Sequence, residues 1–262
     1  MRRLAPKLTA VLSLAFAAVP AAALACSPAP GYHVPTNLEL ARAANAIVLG
    51  EVVGGGRGVA LDPEASTIAV HPLAALKGLL PGADIALAGM SLAQPGDAAA
   101  NARSEPLAFG DPHPQALTGA CLRRVFPLGA TAVFFLKREN GAWVPAGGPF
   151  SRWAEDVSGV DAPWVQLANL YAQASLLPPE QAREKLEEQY AALVGRTDDP
   201  RAVATAADLE RSLAGPPPPL LAALPPPADE TAASGAGEAA EPPVAPADEL
   251  GEVERAIDAF AD

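Results

Sequence analysis

Two cysteines carry the clearest chemistry in this sequence. Cys26 follows Ala23-Leu24-Ala25, the small-residue pattern after which a signal peptidase cuts, so cleavage after Ala25 would make it the first residue of the mature chain. The Cys26 thiol could then form a disulfide with Cys121, or it could be lipidated, which would tether the protein to a membrane. The disulfide is favoured, because lipidation would leave Cys121 as an odd thiol in an exported protein. A lipoprotein signal also usually has leucine three residues before the cysteine, and here that position is Ala23.

Other candidates for catalysis or metal binding are weaker. His33, His71 and His113 stand apart, without the spacing of a zinc site, and each is predicted to be a surface or packing residue. The sequence contains neither a GxSxG elbow nor a CxxC pair, and the glycines at 54–58 lack the Lys-Ser/Thr of a phosphate loop. Cysteines in a disulfide cannot act as nucleophiles. We therefore predict a protein that is not an enzyme and that uses no cofactor and no metal.

Residues 1–25 have the organisation of a signal peptide. Arg2, Arg3 and Lys7 precede an apolar stretch at 8–19, which Pro20 ends. A membrane anchor is the alternative, but the apolar stretch is short for a span of about 20 residues, and no later segment has the required run. The sequence thus predicts a periplasmic or secreted protein with no transmembrane span after signal removal.

Charge and composition limit the classes of partner. The 262 residues carry a formal charge of -12, and removal of the three N-terminal cations makes the mature charge -15. Such an acidic chain is unsuited to binding nucleic acid or anionic lipid, so a protein partner in the periplasm or outside the cell is expected. Aromatic residues make up only 5% of the chain and much of its hydrophobic content is alanine, which predicts a small core.

The first half of the chain predicts mainly β-structure. A short helix at 38–44, preceded by the capping residues Thr36 and Asn37, leads into an apolar strand at 46–53 that should be buried on both faces. Asn140-Gly141 predicts a type I′ hairpin turn, and no clear period is visible at 88–120. Further strands are predicted at 66–73, 84–87, 125–126, 131–137 and 143–144.

Five short sequence features occur in the same order as in the netrin-like module, and the chain therefore resembles that module. The module is the OB-type barrel of the tissue inhibitors of metalloproteinases and their bacterial relatives. The five features are Cys26-Ser27, the segment Ala-Asn-Ala-Ile-Val-Leu-Gly at 44–50, Lys77-Gly78, Cys121 and Leu128-Gly129. The resemblance covers about residues 26–150. It implies a five-stranded Greek-key barrel whose N-terminal segment is stapled by pairing of Cys26 with Cys121.

The resemblance also implies an interaction site at the mature N-terminus. In the animal inhibitors the first cysteine chelates the zinc of a metalloproteinase through its amine and carbonyl, and Cys26 and Ser27 match that start. Pro28, however, stands where those inhibitors carry another cysteine. We therefore expect an exported non-enzymatic binding module of unknown ligand, with inhibition of an extracellular metalloenzyme through Cys26, or a lipoprotein carrying the same barrel, as alternatives.

The second half predicts helices and a tail. Residues 151–215 form a helical extension, after an irregular exit at 147–160, with three amphipathic helices at 163–177, 179–194 and 200–214. They should pack on the barrel or form a small bundle. Residues 216–248 are a disordered spacer rich in proline, alanine and acid. Residues 249–262 have the spacing of a docking helix, for which simple disorder is the alternative.

Overall fold

A six-stranded sheet with helices packed on it forms the described part of the protein, which in this computed structural model is residues 28–56, 66–79 and 82–221. The predicted signal peptide, Cys26, Ser27 and the tail beyond residue 221 lie outside the described residues. The strands are β1 (Ala46–Gly55), β2 (Thr67–Lys77), β3 (Ile85–Ala88), β4 (Ser91–Leu92), β5 (Val125–Phe126), β6 (Thr131–Glu139), β7 (Ala142–Pro145) and β8 (Ala154–Asp156). The helices are α1 (Asn37–Ala43), α2 (Ala98–Asn101), α3 (Pro163–Ser175), α4 (Pro179–Leu193) and α5 (Pro200–Ala214), with a 3₁₀ helix at Pro114–Thr118.

Five of the strands close into a ring. β1 pairs with β2, β2 with β3, β7 with β6 and β6 with β1, all antiparallel. A parallel contact of Leu87 on β3 with Trp143 on β7 completes the ring. β8 pairs with β6 and is the sixth strand, while β4 and β5 form a separate parallel pair. The predicted mainly-β region followed by helices is confirmed at this level.

β1 and β6 separate two hydrophobic cores. Alternate residues of a strand point to opposite faces, and on β1 Val48 packs with the inner cluster of the ring, whereas Ile47 and Leu49 pack with the helices. β6 behaves in the same way, with Phe134 inside and Phe135 outside. The predicted burial of β1 on both faces is therefore confirmed, and its cause is a helical layer on the outside of the ring.

β2 is longer than the sequence predicts because it tolerates a proline. Pro72 lies opposite Gly50, next to a register shift between Leu49 and Gly50 on β1. Proline cannot donate to a strand ladder, and such an irregularity accommodates it. Pairing then continues to Lys77, whose Nζ atom donates to the carbonyl oxygen of Ala41 at 2.7 Å and so satisfies the C-terminal turn of α1.

Local signals placed the caps and turns correctly. The Thr36 side chain accepts a hydrogen bond from the Glu39 amide, and the Glu39 carboxylate accepts from the Thr36 amide, which makes a capping box at the start of α1. Asn140 and Gly141 have φ values of 50° and 82°, as a type I′ turn requires. At α5, the side chain of Asp199 caps the helix ahead of Pro200.

The helices form one layer rather than a detached bundle. Trp164, Leu167 and Tyr171 on α3 share a core cluster with Phe135 on β6 and Leu209 on α5. Residues 151–215 were predicted as a helical extension that packs on the sheet or forms a bundle; α3 contacts the sheet and α4 packs on α5. None of the described helices combines the length and hydrophobicity that a membrane span needs.

Two segments without a predicted element are ordered by tertiary contacts. The stretch at 88–120 contains β4, α2 and the 3₁₀ helix, and its Phe109 and Ala116 are buried. The predicted irregular exit at 147–160 contains β8, which pairs with Ala132, Val133 and Phe134 of β6. Three residues are too few to give a strand periodicity, so β8 depends on its partner strand.

Candidate functional site

Of the three residues that the sequence singles out, Cys121 alone lies in the described part of the chain. It is buried. Its carbonyl oxygen accepts a hydrogen bond of 2.5 Å from the amide of Phe150, and both residues have positive φ. The pairing with Cys26 stays a prediction, as does the role of Ser27.

The three histidines do not come together. His33 lies 3.4 Å from Glu39, and His71 lies 2.9 Å from Asp84, both at partly exposed positions. His113 is buried. Within residues 28–56, 66–79 and 82–221, no group of three or more His, Cys, Asp or Glu side chains is placed to hold a metal ion.

His113 belongs instead to a charged cluster around Asp156 on β8, the Asp156 cluster, which also contains Arg103 and Arg123. The carboxylate is 2.7 Å from Nη2 of Arg123 and 3.1 Å from Nη1 of Arg103, whereas Nε2 of His113 is 3.8 Å away, longer than a hydrogen bond. Burial by itself would raise the pKa of Asp156, but His113 and the two arginines outweigh it and lower the pKa to about 2. The cluster ties the long segment at 88–124 to the sheet.

A concave surface in the described part of the chain lies beside α5 and is termed the α5 groove. Its volume is about 740 Å³, within the range of about 300–1,000 Å³ typical of small-molecule sites. Its walls are mostly apolar. They comprise residues 34–37, Phe109, Gly110, Pro112, Leu117, Phe150, Arg152, Asp208, Arg211, Ser212, residues 214–218 and Leu220.

A buried set of hydrogen bonds, the Asp208 network, lies at the floor of this groove and joins Asn37, Tyr171, Asp208 and Ser212. Nδ2 of Asn37 donates to both carboxylate oxygens of Asp208 at 3.0 and 3.1 Å, and also to the Phe109 carbonyl oxygen. The Tyr171 hydroxyl donates to Oδ2 of Asp208 at 2.7 Å and accepts from Ser212. A buried carboxylate needs such partners, because an uncompensated one is costly.

The Tyr171 phenol of this network stays protonated. Burial, together with the negative charge of Asp208, raises the pKa of Tyr171 well above its ordinary value. The phenol therefore remains a donor at neutral pH. Arg211, three residues after Asp208, completes the pairing with a bond of 2.7 Å from Nη2 to Oδ1.

The chain that leaves α5 borders the groove. Residues 215–221, termed the proline strap, run back to the N-terminal segment, where Leu220 donates to the Tyr32 carbonyl oxygen at 2.9 Å and Leu221 accepts from the Gly31 amide at 3.1 Å. The Tyr32 hydroxyl in turn donates to the Pro149 carbonyl oxygen at 2.7 Å. Burial raises the pKa of Tyr32 to about 12, so this donor is also retained.

Sequence reasoning did not find this site. It assigned Tyr171 to the core by its helical spacing, and it did not consider Asp208 and Arg211. The available signal was Asp208 and Ser212, four residues apart beside the apolar stripe of α5 and therefore on one side of the helix. An isolated acid next to a stripe usually faces solvent, so the spacing alone does not identify a buried network.

Comparison with protein-family models, with curated proteins and with solved structures found no match to this chain.

Proposed function

We propose that this protein is an exported, non-enzymatic binding module in which the α5 groove is the ligand site. The observation that carries the proposal is a groove of about 740 Å³ with apolar walls and a few convergent polar groups on its floor. This combination is the usual character of a ligand site. Export and the disulfide between Cys26 and Cys121 are parts of the same proposal.

The strand order supports an OB-type barrel of the netrin-like kind as the platform. β1, β2 and β3 are consecutive antiparallel neighbours, and β6 returns over a long connection to lie beside β1. That arrangement is the Greek-key order. β7 then lies between β6 and β3 and closes the ring.

The Asp156 cluster is a weaker candidate for the site. Its carboxylate is already paired with two arginines, one of which, Arg123, is fully buried. Its evident role is to hold the segment at 88–124 against β8. The α5 groove, in contrast, presents apolar wall to solvent, for example Leu117, whose exposed fraction is 66%.

A neutral fluorescent probe tests the groove. N-phenyl-1-naphthylamine, which is apolar and uncharged, should bind purified protein with increased fluorescence. Leu117→Arg should weaken this binding roughly tenfold, because burial of a leucine is worth about 1.5–3 kcal/mol and 1.4 kcal/mol corresponds to a factor of ten.

Leu128→Arg is the matched control. Leu128 has the same exposed fraction, 66%, but does not line the groove. Because the two variants introduce the same charge, equal losses of probe affinity would contradict the proposal. Failure of the probe to bind the wild-type protein would also contradict it. Circular dichroism of both variants checks that the fold is kept.

A further inference from the structure

We propose that the α5 groove binds an apolar small molecule that carries a carboxylate, and that Arg211 is the anchor for that carboxylate. This inference rests on the proposed binding function and adds the class of ligand.

Arg211 is the exposed charge among the described residues that line the groove. Arg152 and Asp208 also line it, but both are buried. Arg152 is paired with Glu155 at 2.8 Å and lies over the Trp164 ring, and its side chain is buried away from a ligand. The Arg211 side chain is 51% exposed. An incoming ligand would therefore meet a single accessible cation.

The Asp208 network positions this cation. The Asp208 carboxylate accepts a hydrogen bond from Nη2 of Arg211. The same carboxylate is held in place by hydrogen bonds from Asn37 and Tyr171. A guanidinium has five N–H donors in a planar fork, so a bond made by Nη2 to Asp208 leaves donors for a second carboxylate. Arginine is well suited to such paired recognition of a planar anion. Four buried groups on three helices thus hold one exposed side chain in place.

Gly110 provides the space for the guanidinium. A Cβ atom built at Gly110 would overlap the Cζ, Nη1 and Nη2 atoms of Arg211, so the planar group lies directly against this glycine. Any larger residue would displace the flexible end of the arginine. Gly110→Ala is therefore a mild change that moves the anchor without removing it.

The borders of the groove favour a small molecule over an extended polypeptide. The proline strap crosses from α5 to the N-terminal segment and is fixed there by the bonds between Leu220 and Tyr32 and between Leu221 and Gly31. Phe109 and Phe150 supply aromatic surface within the same space. An apolar chain ending in a carboxylate matches this space and the Arg211 charge.

The experiment compares dodecanoate, dodecanol and dodecylamine, each below the concentration at which it aggregates, by displacement of N-phenyl-1-naphthylamine from purified protein. The three probes share one apolar chain and differ in the charge of the head group. Dodecanoate should bind roughly tenfold more tightly than dodecanol, a preference of the size that one charged hydrogen-bonded contact gives. Dodecylamine should bind most weakly.

Arg211→Gln should abolish the preference for dodecanoate over dodecanol, with each affinity calculated from the dye affinity measured for that variant. Arg196→Gln is the matched control, because Arg196 is also about half exposed and also pairs through Nη2 with an aspartate three residues away, but lies outside the groove. Gly110→Ala should reduce the preference to an intermediate value.

The inference fails if dodecanol binds as tightly as dodecanoate, or if Arg211→Gln keeps the preference. It also fails if an apolar peptide with an amidated C-terminus displaces the dye better than dodecanoate does, since a polypeptide would then be the occupant. In these cases the dye still binds, so the proposed binding function stands. If neither the dye nor dodecanoate binds, both proposals fail.

Discussion

The phenolic oxygen of Tyr171 on α3 lies 2.7 Å from Oδ2 of Asp208 on α5. Through this contact two helices that both contribute to the outer core share one buried polar group. Because Asn37 on α1 bonds the same carboxylate and the Phe109 carbonyl, the contact also joins the N-terminal helix and the long segment at 88–124. The groove floor is thus the point where four separate parts of the chain meet.

Tyr171→Phe should destabilise the protein by about 1–3 kcal/mol, because it leaves Asp208 and Ser212 each without one buried partner. Urea unfolding followed by far-UV circular dichroism measures this change. Tyr190→Phe on α4 is the control, since Tyr190 packs on the same core but makes none of the bonds of the Asp208 network. Equal stability of Tyr171→Phe and wild type would show that the network contributes little.

Asp156→Asn should lower the free energy of unfolding at neutral pH by about 3–5 kcal/mol, because it leaves buried Arg123 without its counter-charge. Asp84→Asn is the control: its pair with His71 is about half exposed on both sides and should contribute little.

The free energy of unfolding should depend on pH because of the same Asp156 carboxylate. The folded-state pKa of Asp156 is about 2, below its ordinary 3.8. Its ionised form therefore stabilises the folded state fully above about pH 4, and this contribution, about 2 kcal/mol, is lost as the pH falls through about 2. Urea titrations across this range should show a steeper loss for wild type than for Asp156→Asn. Parallel curves would contradict the assignment.

Gly50→Ala should destabilise the ring by about 1–3 kcal/mol through overpacking. A Cβ atom there would lie 2.5 Å from Cγ1 of Val70 and 3.1 Å from the His71 carbonyl oxygen. Gly54→Ala on the same strand is matched to it, with Ala69 Cβ at 4.0 Å as its nearest neighbour. Thermal unfolding of the pair should place Gly50→Ala clearly lower, and a reversed order would refute the packing argument.

Intact-mass measurement of exported protein should give a chain that begins at Cys26 and lacks the two thiol hydrogens, as a disulfide with Cys121 requires. Loss of the bridge in Cys121→Ser should cost about 2–5 kcal/mol. A mass increased by acyl chains on Cys26 would instead establish the lipoprotein alternative and exclude the predicted bridge.

Addition of the mature protein to a panel of zinc proteases should leave their activity unchanged. Pro28 stands in the place of the third-residue cysteine of the animal inhibitors. Inhibition that depends on a free amine at Cys26 would overturn this expectation and favour the metalloenzyme alternative over the binding module.

Local patterns in the sequence determined much of the architecture. Some local motifs depend only on neighbours within a few residues, so they can be predicted from the sequence. They are the Thr36 and Glu39 capping box, the Asn140-Gly141 turn and the Asp199-Pro200 helix start. The apolar run of β1 also predicted burial on two faces, and the run at 131–137 predicted β6. The helical stripes predicted α3, α4 and α5 nearly to their ends.

Tertiary structure alone decided the site. Asp208 and Tyr171 are 37 residues apart, and Asn37 is 171 residues from Asp208, so their bonds exist only once α1, α3 and α5 are packed together. β8 and the segment at 88–124 likewise owe their order to distant partners, namely β6 and Asp156. The spacing of residues in the sequence predicts contacts within one helix or strand. A groove and its buried charges form between elements that are distant in the sequence and meet only in the folded state.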